Sequence, residues 1–133
     1  MTKRVFPATD SALSDVLEFV EQTMACEGCS PRMQMQISIC VEEVFVNVAH
    51  YAYPDCMGEA TVGLACQNGE LTITVADHGI PFDPLARPEV DAAEVAAGDK
   101  IGGLGIYMVK KSVDALHYER KDGENRLTMV KKL

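Results

Sequence analysis

Glu43 and Asn47 stand four positions apart in the segment Glu42-Glu43-Val44-Phe45-Val46-Asn47, where three apolar residues separate them. Residues four apart on a helix are neighbours, so Glu43 and Asn47 would lie on one face, one turn from each other. Val44 and Val48 fall on the buried stripe of the same helix, which places the pair at its buried edge. An acid and an amide there need partners or a cavity, because burying them unpaired is costly. A solvated helix edge carrying a weak polar pair is the alternative.

A second acid follows directly on an apolar strand pattern, in Val75-Ala76-Asp77-His78-Gly79. An ionised carboxylate at a strand end can accept a hydrogen bond from an exocyclic amine. Gly79 has no side chain, so the backbone at this position can approach a flat ring closely. An ordinary Asp-x-Gly turn is the alternative interpretation.

The third segment is glycine-rich, Gly102-Gly103-Leu104-Gly105, and it precedes a predicted helix. Such turns offer unpaired N–H groups and the positive end of the helix dipole to a phosphate. The spacing is not that of a Walker loop, because no Gly-Lys-Ser/Thr follows. A flexible hinge is the alternative here, but the order and spacing of the three segments are more specific than any one of them.

The elements that must position these segments follow from apolar periodicity and turn signals. Helical spacing after Ser30-Pro31 predicts a long helix that carries Glu43 and Asn47 and stops at Pro54. Alternation on both sides of Asn68-Gly69 predicts a β-hairpin that leads into Asp77. The other predicted elements are an edge strand at Lys3–Phe6, a helix of about 16 residues capped by Thr9 and Asp10, a loop over residues 77–101, a helix from Ile106 to about Leu116, and strands at His117–Lys121 and Arg126–Lys132.

The order of these elements predicts the fold class. It is α+β, a two-layer sandwich in which a mostly antiparallel, mixed β-sheet carries the helices on one face. The strands are not interleaved with helices as a Rossmann fold requires. We expect residues 1–133 to form one domain, because a chain of this length has no room for a second.

Charge and composition exclude several classes of protein. The formal net charge is −8, from 20 acidic and 12 basic residues, whereas a nucleic-acid binder needs a cationic face. No membrane helix is expected, since Glu42 and Glu43 interrupt the most apolar stretch. The N-terminus lacks the apolar region of a signal peptide, so the five cysteines are expected to be reduced thiols in the cytoplasm. We interpret Cys26-Glu27-Gly28-Cys29 as a turn between helices, with a zinc or redox site as the alternative.

The three polar segments together resemble the GHKL ATPases, and among them the anti-sigma-factor serine kinases of bacterial partner-switching systems. The resemblance runs over about residues 5–132. The segment from Glu42 to Asn47 is similar to the N-box, Asp77-His78-Gly79 to the first glycine box, and Gly103-Leu104-Gly105 to the second. Tyr53 matches a tyrosine that often closes the N-box helix. The fold that this resemblance implies is the histidine-kinase-like ATPase, or Bergerat, fold.

The resemblance also implies a role for each matching residue. Asn47 would hold the Mg²⁺ that bridges the phosphates of ATP, and Glu43 would be the general base for a serine hydroxyl or a water. Asp77 would accept a hydrogen bond from the adenine amine, with Gly79 against the ring.

The phosphate end of the site is implied in the same way. Gly103, Leu104 and Gly105 would lie at the phosphates, and residues 85–101 would form the ATP lid. Lys100 stands where these kinases often carry an arginine, and it would take that place beside the phosphates. Lysine and arginine are not equivalent at a bidentate site.

The implied function is an ATP-dependent serine/threonine protein kinase that binds a sigma-like factor and phosphorylates a STAS-type anti-anti-sigma partner, acting as a homodimer. Because position 100 is lysine, a nucleotide-gated protein-binding module without kinase activity stays open as a second interpretation. The catalytic domain of a sensor histidine kinase is a further alternative. We expect no segment here for its dimerisation helices or its phosphoacceptor histidine.

Overall fold

A computed structural model of the chain describes residues 1–86 and 104–133. Within them, eight helices and strands follow one another along the chain. They are β1 (Thr2–Pro7), α1 (Leu13–Cys26), α2 (Pro31–Tyr51), β2 (Glu59–Gln67), β3 (Glu70–Asp77), α3 (Leu104–Ser112), β4 (Ala115–Lys121) and β5 (Glu124–Lys132).

The described strands form one sheet in the order β1-β2-β3-β5-β4. All four neighbouring pairs are antiparallel, so the sheet of the described residues is not mixed as predicted. In the register of the two central strands, Asp77 at the end of β3 stands opposite Asn125 near the start of β5. The hairpin predicted around Asn68-Gly69 is the β2–β3 pair, with both turn residues at positive φ.

The core lies between one face of this sheet and the helices. Alternate residues of β2, β3 and β5 point to that face, which is why every second side chain on these strands is buried. The helices contribute stripes at helical spacing, so the two layers cover each other and the α+β sandwich is confirmed. The fully buried side chains include Val16, Val20, Met24, Ile37, Val41, Phe45, Val62, Leu64, Leu71, Ile73, Val75 and Met129.

The helix that carries the first polar segment forms as predicted. Ser30 caps α2, with its Oγ accepting a hydrogen bond from the Met33 backbone N–H at 3.2 Å. Pro31 occupies the first turn, where its missing N–H costs nothing. The Cys26-x-x-Cys29 segment is the turn between α1 and α2, and Gly28 adopts φ 77° there.

The predicted start of α1 is wrong in detail. A short 3₁₀ turn at Asp10–Ala12 precedes the helix, and the Thr9 side chain makes no capping hydrogen bond. The Asp10 carboxylate instead lies 2.7 Å from His50 Nε2, in the last turn of α2. Asp10 is therefore used in a contact between the two helix ends, which the local sequence does not show.

The helix after the glycine-rich segment is also shorter than predicted. It begins at Leu104, inside the glycine-rich segment and two residues before the predicted start at Ile106, and it ends at Ser112, while Leu116 lies in β4. Asp114 explains the early end, because its backbone N–H donates to the Val130 carbonyl at 2.9 Å and its carboxylate accepts from the Lys132 N–H at 2.7 Å. These bonds to β5 turn the chain into the sheet before another helical turn can form.

Two further expectations concern the connecting segment and membranes. Of the predicted loop over residues 77–101, the structure describes the part up to residue 86, which ends in a 3₁₀ turn at Pro84–Ala86. The remainder of the predicted lid lies outside the described residues. None of the described helices combines the length and apolarity needed to cross a bilayer.

Candidate functional site

A cavity lies where the end of β3 meets α2 and α3. Its solvent-accessible volume is about 30 Å³. The lining is mainly apolar with a few convergent polar groups, as in small-molecule sites, and the volume is that of about one or two water molecules, so a larger ligand would have to open the cavity. Its walls are Val44, Val48, Val75, Ile106 and Leu127, and its polar side chains are Asn47, Asp77, Tyr118 and Asn125.

Asp77 supplies the carboxylate of this cavity and is only 5% exposed. Its Oδ1 accepts two hydrogen bonds, from the Gly79 backbone N–H at 2.8 Å and from Asn125 Nδ2 at 2.9 Å. Within residues 1–86 and 104–133, no donor hydrogen-bonds the other oxygen, Oδ2. One oxygen thus fixes the carboxylate, and the second remains an acceptor for a ligand.

Gly79 is required here by the end of α2. A Cβ at this position would overlap the carbonyl oxygen of Ala52. The neighbouring Ile80 N–H donates to the same carbonyl at 2.9 Å. The close backbone approach predicted for Gly79 therefore exists, and the group it approaches in this structure is the end of a helix.

Asn47 and Glu43 lie one turn apart on α2, as their spacing predicts. Asn47 lines the cavity together with Asp77. The Glu43 carboxylate lies against Gly105, and a Cβ at Gly105 would overlap it. Glu42 faces a different groove, between α1 and α2. The structure thus brings Asn47 and Asp77 into one cavity and Glu43 to the first turn of α3.

The remaining predicted phosphate residues are only partly described. Leu104 is the first residue of α3. Gly103 and Lys100 lie outside the described residues.

Two residues of the cavity, Asn125 and Tyr118, were not predicted from the sequence. Asn125 is 5% exposed, and its amide bonds Asp77 on one side and the Tyr118 hydroxyl, at 2.5 Å, on the other. Residues 122–125 have a turn-like sequence, so Asn125 was assigned to a turn and not to the buried face of a strand. Alternation with Leu127 and Met129 could have revealed it, because these three residues share the core face of β5.

The segment from His78 to Phe82, called the site loop below, is held by contacts to several helices and strands. Arg120 Nη1 donates to the Gly79 carbonyl at 2.8 Å, which ties the loop to β4. The Phe82 ring lines the cavity and stacks on Tyr51 of α2, with ring centroids 5.6 Å apart. These contacts make the loop one wall of the cavity.

Tyr53 connects the site loop to the start of β2. Its hydroxyl donates to the Glu59 carbonyl at 2.6 Å and accepts from the His78 N–H at 2.9 Å. Burial raises the pKa of the Tyr53 phenol above its ordinary value of 10.0. The hydroxyl therefore keeps its proton, and with it the bond to Glu59, across the neutral range.

The oxygen atoms around the cavity fit a Mg²⁺ ion that takes most of its ligands from a bound phosphate compound and from water. The amide oxygen of Asn47 is of the hard type that Mg²⁺ prefers. In the part of the chain that the structure describes, no group of three His, Cys, Asp or Glu side chains could hold a metal ion. Mg²⁺ characteristically takes one or two protein oxygens together with substrate phosphates and water.

Two curated protein kinases are similar to this chain over most of its length. Serine/threonine-protein kinase BtrW of Bordetella bronchiseptica is 25% identical over 123 residues, covering 92% of this chain and 87% of that protein. Serine-protein kinase RsbW of Bacillus cereus is 26% identical over 122 residues, covering 84% of this chain and 75% of that protein.

Solved structures share the fold. A chain of the SiaB–SiaC complex from Pseudomonas aeruginosa matches with a TM-score of 0.69 and 16% identity, covering 98% of this chain and 88% of that one. The RsbU and RsbW domains of a Mycobacterium tuberculosis protein match with a TM-score of 0.66 and 16% identity. The match covers all of this chain but only 33% of that longer one.

The family model described as "Histidine kinase-like ATPase domain" matches residues 6–131, nearly the whole chain. This match confirms the resemblance found in the three polar segments. It agrees with the two-layer architecture of the described residues. The chain therefore belongs to the histidine kinase-like ATPase domain family.

Proposed function

We propose that this chain binds ATP with Mg²⁺ in the cavity at the end of β3 and is a serine/threonine protein kinase of the anti-sigma-factor type. The observation that carries the proposal is that Asp77 and Asn47 line one cavity while Glu43 lies one turn away on the same helix. The names of the two curated relatives, both protein kinases, support the activity.

Adenine recognition is assigned to Asp77. Its free acceptor, Oδ2, suits the exocyclic amine of adenine. The apolar walls of the cavity, among them Val48 and Ile106, would contact the faces of the ring. The carbonyl that guanine carries in place of the amine would meet a second acceptor and be repelled.

The phosphates are assigned to the side of the cavity where α3 begins. Unpaired N–H groups of a helix N-terminus favour an anion, and Gly105 lies in this first turn. Gly103, Leu104 and Lys100 belong to the same proposal. Asn47 would hold Mg²⁺, which when bound neutralises phosphate charge.

Glu43 is assigned as the general base. It would take the proton from a serine hydroxyl as that oxygen bonds to the γ-phosphorus and the bridging P–O bond to ADP breaks. Such transfer depends mainly on positioning and charge neutralisation. Support for this role is that the Glu43 carboxylate lies against Gly105, on the side assigned to the phosphates.

The partners proposed from the resemblance are a sigma-like factor and a STAS-type anti-anti-sigma protein, with the kinase acting as a cytoplasmic homodimer. The net charge of −8 supports a protein partner over nucleic acid. Phosphorylation would add charge to the anti-anti-sigma partner, which is a common means of switching an interface.

One observation favours a second function, a nucleotide-gated binding module without turnover. Lys100 stands where the related kinases often carry arginine, and lysine cannot make the planar two-bond contact that arginine makes with phosphate. In this alternative, ATP binding would change partner affinity without phosphoryl transfer.

Calorimetry with MgATP tests the first half of the proposal, and MgATP binding is the expected result. Transfer is then tested by incubating the protein with γ-labelled ATP and purified STAS-type proteins from the same cell. Label on a serine of one STAS protein supports the kinase. ATP-dependent complex formation without label, across the whole set, supports the binding module. Absence of ATP binding contradicts both.

A further inference from the structure

We propose that Asn125 is a positioning residue that gives the site its preference for an amine-bearing purine, and that the Tyr118 hydroxyl holds Asn125 in place. The inference rests on the proposed ATP site and adds two residues of that cavity, from β4 and β5. Asn125 acts through Asp77, with which it is paired in register across β3 and β5.

The side-chain amide of Asn125 is fully used. Its two amide protons go to Asp77 Oδ1 at 2.9 Å and to the Ile80 carbonyl at 2.8 Å. Its oxygen accepts from the Tyr118 hydroxyl at 2.5 Å and from the Phe82 N–H at 3.4 Å. The side chain is 5% exposed, so water has little access to compete for these bonds.

The neighbours allow only one orientation of this amide. A flipped amide would set its oxygen against the Asp77 carboxylate and the Ile80 carbonyl, and its NH₂ group against the Phe82 N–H, whereas the Tyr118 hydroxyl could turn to accept. Buried polar atoms left facing their own kind lose hydrogen bonds that they cannot recover from water. Asp77 and Ile80 therefore decide which way Asn125 points, and the Tyr118 hydroxyl, the closest partner of the amide oxygen, holds the side chain in that position.

The orientation of Asn125 decides what Asp77 presents to a ligand. With the Asn125 NH₂ group and the Gly79 N–H both on Oδ1, the carboxylate cannot rotate freely, and Oδ2 is left as a pure acceptor. An amine donates to that oxygen, whereas a purine without an amine leaves it unpaired in a buried site. Without Asn125 the carboxylate can turn or take a bridging water, and this discrimination weakens.

The test compares two nucleotides that differ by one group, ATP and purine riboside 5′-triphosphate, which lacks the amine. Their dissociation constants are measured by calorimetry with Mg²⁺ for the wild type, Tyr118→Phe and Asn125→Leu. Tyr118→Phe keeps the ring in the cavity wall and removes only the hydroxyl. The matched control is Tyr107→Phe, since Tyr107 lies on α3 with its ring near Lys111.

The wild type should bind ATP roughly tenfold or more tightly than the amine-free analogue, the usual effect of one hydrogen bond to a charged group. That ratio should fall severalfold in Tyr118→Phe and approach one in Asn125→Leu, while Tyr107→Phe keeps the wild-type ratio. Circular dichroism verifies folding, and Tyr118→Phe carries the test if Asn125→Leu does not fold.

Two results would overturn the inference, and they distinguish its failure from the failure of the proposed function. If both nucleotides weaken by the same factor in Tyr118→Phe, the network is only structural, although the ATP site stands. If the wild type binds neither nucleotide, the proposed function fails and this inference fails with it.

Discussion

At the level of single residues, the proposed site separates adenine recognition by a buried acceptor from metal binding and proton transfer by less buried polar groups. Asp77 is buried among neutral donors and keeps one oxygen as an acceptor. Glu43 and Asn47 stand on α2, half-buried, where a base and a metal ligand can meet a charged group. Because Asp77 lies on β3 while Glu43 and Asn47 lie on α2, a substitution can abolish one proposed role and leave the other intact.

Asp77→Asn should weaken ATP binding by roughly tenfold to a hundredfold, because a buried hydrogen bond to a charged group is lost. Calorimetry measures the change, and Asp55→Asn in an exposed turn is the control. In the wild type, GTP should bind less tightly than ATP. Equal affinities for ATP and GTP would contradict the assignment of Asp77.

Glu43→Gln should leave ATP affinity within a few-fold and lower phosphoryl transfer by about a hundredfold or more, the usual contribution of a positioned base. Glu42→Gln is the matched control, since Glu42 faces the groove between α1 and α2. Both rates come from transfer of labelled phosphate to the STAS-type partner. Equal rates in the two variants would rule out Glu43 as the base.

Asn47→Ala should lose the magnesium-dependent part of ATP affinity and the activity together, because one ligand serves the bound state and the transition state. Titrations with and without Mg²⁺ isolate this part. A variant that keeps the full effect of Mg²⁺ on affinity would show that Asn47 is not the ligand.

At the level of elements, the site exists because three chain segments are tied together at the end of β3. The end of α2 accepts the Ile80 N–H, β4 reaches the site loop through Arg120, and β5 reaches it through Asn125. Tyr53 adds the start of β2. The loop is therefore shaped by contacts to regular elements and carries no regular structure of its own.

Tyr53→Phe should lower the free energy of unfolding by about 1–3 kcal/mol at pH 8, because two hydrogen bonds of the hydroxyl are lost. The pKa of Tyr53 is raised in the folded protein. Its contribution is therefore fully present below the unfolded value near 10 and is lost as pH rises through the folded value. Urea unfolding of both proteins at pH 8 and above pH 10 should show the difference shrinking. A constant difference would contradict this role for the hydroxyl.

At the level of the whole molecule, the site joins the two layers. The cavity is lined by α2 and α3 from one layer and by β3, β4 and β5 from the other. A ligand bound there holds the helices against the sheet, so its binding energy adds to the stability of the whole fold.

MgATP at about a hundred times its dissociation constant should stabilise the protein by about 2.7 kcal/mol, which corresponds to a rise in Tm on the order of 5–10 °C. Differential scanning calorimetry measures the shift. Asp77→Asn at the same ATP concentration should show a smaller rise. An unchanged Tm in the wild type would contradict ATP binding to the folded state.

The features that could be predicted from the sequence are those that depend on residues close to one another along the chain. The cap and apolar stripe of α2, the β2–β3 hairpin and the spacing of Glu43 and Asn47 are all local, and all have the predicted form. The family was recognisable for the same reason, since its motifs are short segments that stand in a fixed order.

Tertiary structure decided the features that join residues far apart in sequence. Asp10 pairs with His50, Asp114 ends α3 by bonding to β5, and Asn125 fixes Asp77 from 48 residues away. Turn signals and helical periods describe how a chain bends locally, and they do not specify which side chain a buried polar atom will meet. That choice follows from strand register and layer packing, because a buried donor must find its acceptor among whatever groups the fold places within about 3 Å.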